Sequence, residues 1–271
     1  MEMFQIKRLE DIAEIESIQQ IEKEVWNMSP IPIHQTYTAS HNGGLILGAF
    51  HENQLIGFQY SFPGYMDGRS YLCSHMLGVL PSYQKSGLGK KLKEAQRKYA
   101  LEMGYSLIVW TFDPLESVNA YLNLNKLKGI GATYIENHYG EMTDSLNKGL
   151  PTDRFLVEWW IRSDHVCKAP SRVDVQGYKP LVETKLDNFG FPTISREYEI
   201  NLMEDIFVVP IPEDFQQIKN HRPELAKEWR YKTRKWFQIL CENDFAASDV
   251  IRNPEERVSY YIFEKRENLS I

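Results

Sequence analysis

Apolar positions fall three and four residues apart near the start of the chain and then change rhythm. Ile12, Ile15, Ile18, Ile21 and Val25 predict a helix over 9–26 with one buried face. Residues 27–41, with Pro30 and Pro32, read as a loop, either a plain connector or the border of a substrate site. Two apolar runs, 44–50 and 55–62, flank His51-Glu52-Asn53-Gln54 and predict a β-hairpin. A turn is expected over 63–70, where two glycines and an aspartate sit, and 71–80 is expected as the third strand of a meander.

Helical spacing returns at 87–103, with Leu88, Leu92, Ala95 and Tyr99 on one face and Gly104 as the stop. The unbroken run Ser106 to Phe112 predicts a buried strand, parallel to the one before the helix because a crossover joins them. A second helix is expected from Leu115 to Lys126, then strands at 132–136 and 154–161 separated by a long polar loop. Beyond Ser163 the texture changes to a loop-rich stretch with Pro170, Pro180, Gly190 and Pro192. It precedes a strand at 205–209, a helix marked by Leu225, Trp229, Lys232, Trp236 and Leu240, and short strands at 248–252 and 259–264. The expected class is α/β with a mixed sheet. A boundary near 163–170 gives one domain at 1–163 and a smaller α+β extension at 164–271.

Composition narrows the function classes. An apolar fraction of 42% and a charged fraction of 25% are those of a globular protein. A net charge of -6 argues against general nucleic-acid binding, which leaves a basic footprint. There is no apolar run of membrane-spanning length and no apolar core of a signal peptide at the N-terminus, so the expected setting is cytoplasmic, away from membranes. Cys73, Cys167 and Cys241 are odd in number and far apart, which suits reduced, structural thiols. No cluster has metal-ligand spacing, so no metal is expected.

The chemistry concentrates where the third strand meets its helix. Leu77-Gly78-Val79-Leu80-Pro81 ends the strand and Gln84-Lys85-Ser86-Gly87-Leu88-Gly89 forms the turn. A glycine-containing turn at a helix N-terminus offers unpaired N–H groups to an anion, with no side chain in the way. Lys85, Lys90, Lys91, Lys93, Arg97 and Lys98 surround it, against the single acid Glu94; each lysine is equally readable as a solvated helix position. A P-loop spacing does not occur. A dinucleotide fingerprint needs a small residue where Leu92 stands and an acid that Asp113 only loosely supplies.

Gln84-x-x-Gly87-x-Gly89 in this order of elements resembles the acyl-CoA pyrophosphate loop of the GNAT superfamily of N-acyltransferases, over roughly residues 1–163. Asp113 to Ser117, Asn123 to Leu127 and Pro151 to Phe155 are similar to segments of a less characterised branch with a C-terminal extension. The resemblance implies acetyl-CoA or another acyl-CoA as co-substrate and an amine acceptor attacking directly in a ternary complex. Backbone groups of Leu77, Gly78 and Val79 are then expected along the pantetheine arm, and Gln84, Lys85, Ser86, Gly87, Leu88, Gly89 and Lys90 at the pyrophosphate. Asn119 matches the family's asparagine near the thiol; a helix-surface asparagine is the alternative.

The family's usual catalytic groups are missing. Leu124 stands where a tyrosine acid is common, and Tyr121, one turn earlier, is the substitute. Leu72 stands where a glutamate base is common; His75 is the candidate base, and an ordered water is the alternative. Tyr121 reads at least as well as an aromatic packing on the sheet, and a strand histidine is more often a hydrogen-bonded packing residue. Arg154 is a candidate to grip a substrate carboxylate, with Tyr139, His34 and His41 as further pocket residues.

The first expectation is an N-acetyltransferase or other N-acyltransferase acting on a small-molecule amine, with an amino acid and succinyl-CoA as one variant. A non-catalytic CoA-binding module is the second reading and protein acetylation a third. Trp229, Trp236 and Phe237 are expected to pack on the first domain or a twin chain, leaving a homodimer open, or to form a core of their own.

Overall fold

The computed structural model describes residues 4–27, 29–141, 149–168 and 177–271. Pro170 and part of the long polar loop lie outside the described residues. Contacts divide the chain into two compact units, Met1–Trp110 with Trp160–Arg162, and Thr111–Trp159 with Ser163–Ile271. The class is the expected one, mixed α/β.

The first unit begins with β1 (Gln5–Arg8), then α1 (Ile12–Glu16) and α2 (Ile18–Trp26). One helix was expected here. The two pieces meet at Ser17, whose hydroxyl donates to the Glu14 carbonyl at 2.5 Å and competes with helix continuation. Ile15, Ile18 and Ile21 are buried as the spacing requires, whereas Ile12 is 55% exposed. The expected loop at 27–41 contains a helix, α3 (Ile33–His41). Its prolines precede the first turn, where a missing N–H costs nothing, so they start the helix rather than forbid it.

β2 (Leu45–His51), β3 (Gln54–Met66) and β4 (Arg69–Val79) form the antiparallel meander. The turn expected over 63–70 shrinks to Asp67-Gly68, both in the left-handed region at φ 52° and 76°. Pro63 is tolerated because β2 pairs only as far as Ser61 and asks nothing of its nitrogen. The Tyr71 ring lies over Gly64, 2.3 Å from where a Cβ would sit, so a larger residue there would displace that ring. α4 (Leu88–Glu102) and β5 (Leu107–Phe112) follow, and β4 pairs with β5 in parallel as expected.

The second unit opens with the short helix α5 (Ser117–Ala120), which continues as a wider π turn over Tyr121–Lys126. Lys128, at φ 59°, ends it. β6 (Ile130–Ile135) and β7 (Arg154–Trp160) pair antiparallel. Next come α6 (Asp164–Cys167) and a hairpin of β8 (Val182–Leu186) with β9 (Pro192–Glu197), which apolar periodicity did not reveal. β10 (Ile206–Pro212), α7 (Phe215–His221), α8 (Pro223–Glu242), β11 (Phe245–Asn253) and β12 (Val258–Lys265) complete it. β12 pairs with β10 and β11, and β11 reaches β6 through Ala247 and Gly131.

That pairing explains why residues 111–159 cluster with the C-terminal part. Phe155 of β7 packs with Phe237, Tyr261 and Phe263, ring centroids 5.0–6.2 Å apart, all fully buried. Trp229 and Trp236 are buried in the same unit, and the Trp229 indole donates to the Pro192 carbonyl at 2.9 Å. At the position expected for Lys232, Thr233 is the buried residue.

Each segment that resembles the less characterised branch is held by a C-terminal group. Asp113 accepts from Arg230 at 2.5 Å, the Pro114 carbonyl from the Tyr261 hydroxyl at 2.8 Å, and Glu116 from Gln216 at 2.5 Å. Asn125 donates to Asp249 at 2.8 Å, and Asp153 takes both arms of Arg234.

Candidate active site

The glycine turn presents backbone N–H groups at the start of a helix. After β4 a short 3-10 turn (Pro81–Tyr83) leads into Gln84, and the Gln84 amide reaches back to the Val79 carbonyl at 3.3 Å. Lys85 and Gly87 take left-handed φ values of 66° and 82°. Gly87 caps α4, and among the described residues nothing lies within 4 Å of a Cβ built on it. Gly89 has only the Leu77 side chain near, at 3.7 Å. The first helical bond in α4 is Lys91 N to Gly87 O at 3.2 Å, so the N–H groups of Gly89 and Lys90 have no intrahelical acceptor. The Ser86 hydroxyl donates to the Tyr83 carbonyl at 2.6 Å and closes the turn from behind.

The upper part of β4 runs beside this turn. Its parallel ladder with β5 holds Leu72 to Ile108 and Cys73 to Val109, and no described pair continues it to Leu77, Gly78 and Val79. An extended ligand arm adds to a strand edge as a further strand does. On its other side β4 carries a bulge. Tyr60 faces Met76 and Ser61 faces Ser74, leaving His75 as the extra residue.

The bulge decides what His75 is. The rings of Tyr60 and Phe62 lie 5.9 and 5.5 Å from it, while its remaining side stays exposed. Lost solvation lowers its pKa below the ordinary histidine value, which keeps the imidazole neutral. Leu72 and Leu124, where the resemblance led one to expect a base and an acid, are both fully buried.

The basic cluster resolves into different roles. Lys85, Lys90, Lys91 and Lys98 are exposed. Arg97 is spent on the Ile161 carbonyl at 2.8 Å. Lys93, expected on the solvated face, is buried at 4% exposure, because the buried stripe of α4 runs through Leu88, Leu92, Lys93, Gln96 and Ala100. Its ammonium donates to Ser74 at 2.8 Å and lies 3.4 Å from the Trp110 ring centroid. Gln96 donates to Ser61 at 2.7 Å in the same interior network. Burial pushes the Lys93 pKa well down. The one hint of this network in the sequence is polar Gln59, Ser61 and Ser74 inside otherwise apolar strands.

The remaining candidates are placed as follows. His34 and His41 lie exposed on α3, with the His41 ring 4.2 Å from Tyr37. Asn119 is exposed at the end of α5; Tyr121 is half-buried, with the Arg252 guanidinium 4.1 Å from its ring centroid. Tyr139 and Arg154 do come together: the guanidinium lies 5.3 Å from the ring centroid, and Tyr139 bonds the Thr111 hydroxyl at 2.9 Å. Arg154 is buried and already faces Asp113 at 3.8 Å, an engagement the sequence did not reveal.

Residues 9–124 match the model of the acetyltransferase (GNAT) family. The chain carries a GNAT acetyltransferase domain. Among solved structures, the chain is similar to the ribosomal-protein-S18-alanine N-acetyltransferase from Escherichia coli, at 17% identity over 59% of this chain and 94% of that one, TM-score 0.47. It is also similar to Arabidopsis thaliana Naa50 in complex with a bisubstrate analogue, at 14% identity over 57% of this chain and 97% of that one, TM-score 0.45. An aminoglycoside acetyltransferase from an uncultured soil metagenomic sample aligns at 21% identity over 43% of this chain and 82% of that one, TM-score 0.37. No curated protein matches the chain. Among the described residues, no helix is long and apolar enough to cross a membrane.

Proposed function

We propose that the protein is an acyl-CoA-dependent N-acyltransferase, with acetyl-CoA as the first donor to test, that acylates a small-molecule amine by direct attack. The supporting observation is the turn at Gly87, where helix N–H groups without an intrahelical acceptor and open Cβ space meet the end of β4 in one strand, turn and helix. In this reading Gln84 to Lys90 hold the pyrophosphate and Leu77, Gly78 and Val79 align the pantetheine arm, within an acyl-CoA-binding domain at 1–163. Asn119 serves the thiol end. His75, neutral at the bulge, takes the ammonium proton, and Tyr121 protonates the departing thiolate. Tyr139 and Arg154 belong to the acceptor side, Arg154 sharing its charge with Asp113.

Calorimetry with acetyl-CoA tests the turn. Gly87→Trp and Gly89→Trp are each expected to weaken binding at least about tenfold, since an indole would fill the anion's space. Unchanged affinity overturns the reading. The buried leucines at positions 72 and 124 favour a second reading, a CoA-binding module without turnover. A DTNB screen of amines with acetyl-CoA and succinyl-CoA separates the two: thiol release supports the enzyme, and binding without release supports the module.

A further inference from the structure

The second unit contains a cavity of about 370 Å³ whose walls include Lys128, His165, Ser248, Asp249, Glu264 and Leu269. None of these belongs to the acyl-CoA or acceptor residues above. The volume lies at the lower end for small-molecule sites.

His165 is the group that calls for a ligand. It is 6% exposed, and among the described residues its Nε2 has no hydrogen-bond partner. Buried polar atoms are rarely left unpaired, because burial removes water without replacing it. Its backbone is fixed by a bond from His165 N to the Ser270 carbonyl at 3.0 Å, so the ring is held at the wall.

Charge around the ring is unequal. Lys128 is neutralised by Asp249 at 3.3 Å, and Asp249 also accepts from Asn125 and from Val250 N, both at 2.8 Å. At the rim, Lys168 pairs with Asp164 at 2.7 Å. Glu264 is left over: it accepts from the Ser248 hydroxyl, and no ion pair satisfies it among the described residues. Burial, with a smaller contribution from Lys128, lowers the pKa of His165 and keeps the ring neutral, which leaves a nitrogen lone pair able to accept. Buried Leu269 supplies an apolar wall. Among the described residues, no group of histidines, cysteines and carboxylates could hold a metal ion.

The geometry points to a binding site for a small organic cation, a primary amine on a short hydrocarbon arm, whose ammonium donates to the Glu264 carboxylate and to His165 Nε2. This site is independent of the acyl-transfer reading.

The test titrates propylamine, 1,4-diaminobutane and spermidine into the full chain by calorimetry, with acetate as the anion control. Saturable binding of at least one amine and none of acetate is expected. Glu264→Gln and His165→Phe should each weaken it about tenfold or more, as loss of a charge-assisted or buried hydrogen bond does. Gly87→Trp should leave it unchanged. Because His165→Phe can compromise folding, the chain labelled with ¹⁵N-histidine gives a second readout, a shift of one Nε2 resonance on saturation. No amine binding at millimolar concentration, equal binding of acetate, unchanged affinity in Glu264→Gln, or loss in Gly87→Trp each overturns the proposal.

Discussion

Replacing Arg234 by leucine removes the cation from a carboxylate that water cannot reach. Arg234 on α8 donates Nε to Asp153 Oδ2 at 2.9 Å and Nη2 to Oδ1 at 2.8 Å; its third nitrogen bonds Glu136. Asp153 is 0% exposed, and the Arg234 side chain is 13% exposed. Breaking a buried pair from one side costs about 3–5 kcal/mol, because the remaining charge is stranded. Asp153 would keep two neutral donors, the Tyr134 hydroxyl at 2.6 Å and Asn137 N at 3.0 Å. Burial first, then the charge on Asp153, raises the Tyr134 pKa, so the phenol stays a donor. These bonds place the expected loss at the low end, about 3 kcal/mol. Urea unfolding followed by the fluorescence of Trp159, Trp229 and Trp236 reads it; with a slope of about 3 kcal/mol/M the midpoint moves down by about 1 M. The pair Asp153→Asn with Arg234→Leu removes the stranded charge and should recover roughly half the loss. A single variant within about 1 kcal/mol of wild type refutes the reasoning, as does a double variant no more stable than Arg234→Leu.

Lys93→Met should change the pH dependence of stability. The folded pKa of Lys93 is lowered by burial, so the unfolded chain binds more protons, and wild-type stability rises with pH between the folded value and about 10.4. The stability of Lys93→Met relative to wild type should therefore fall between pH 7.5 and pH 9.5 in thermal melts; a constant difference refutes it. His75→Gln should lower kcat about 100-fold with little change in KM for acyl-CoA, and should remove an acidic limb lying below the ordinary histidine pKa. An unaltered rate would leave an ordered water as the base. Among the thiols, Cys167 is exposed while burial pushes Cys241 up to about 12. DTNB should label Cys167 first in the native chain, and Cys167→Ser should abolish that fast phase; a fast phase surviving in the variant refutes the assignment.

What was legible in the sequence is what local chemistry dictates. Strand, glycine turn and helix at Leu77 to Lys90 follow from an apolar run, two glycines and a helical stripe, and the structure places each where the spacing puts it. The meander and the parallel crossover were legible for the same reason, since period and loop length fix them. The helix at Ile33–His41 was not, because prolines mark both loops and helix starts, and only packing chooses between them.

Long-range partners decided the rest. Lys93 reads as a solvated lysine until Ser74 and Trp110 arrive from distant strands. Arg154 reads as a free guanidinium until the turn after β5 brings Asp113 to it. His75 becomes the odd residue of a bulge only through its register with β3. Asp113, Asn125 and Asp153 lie in the segments that resemble the less characterised branch, and each is held by a side chain about 80 to 125 positions later. Local periodicity records which face of an element is apolar. It holds no information about which polar group, folded in from elsewhere, will satisfy a buried donor or charge, and that pairing gave most of the candidate residues their environment.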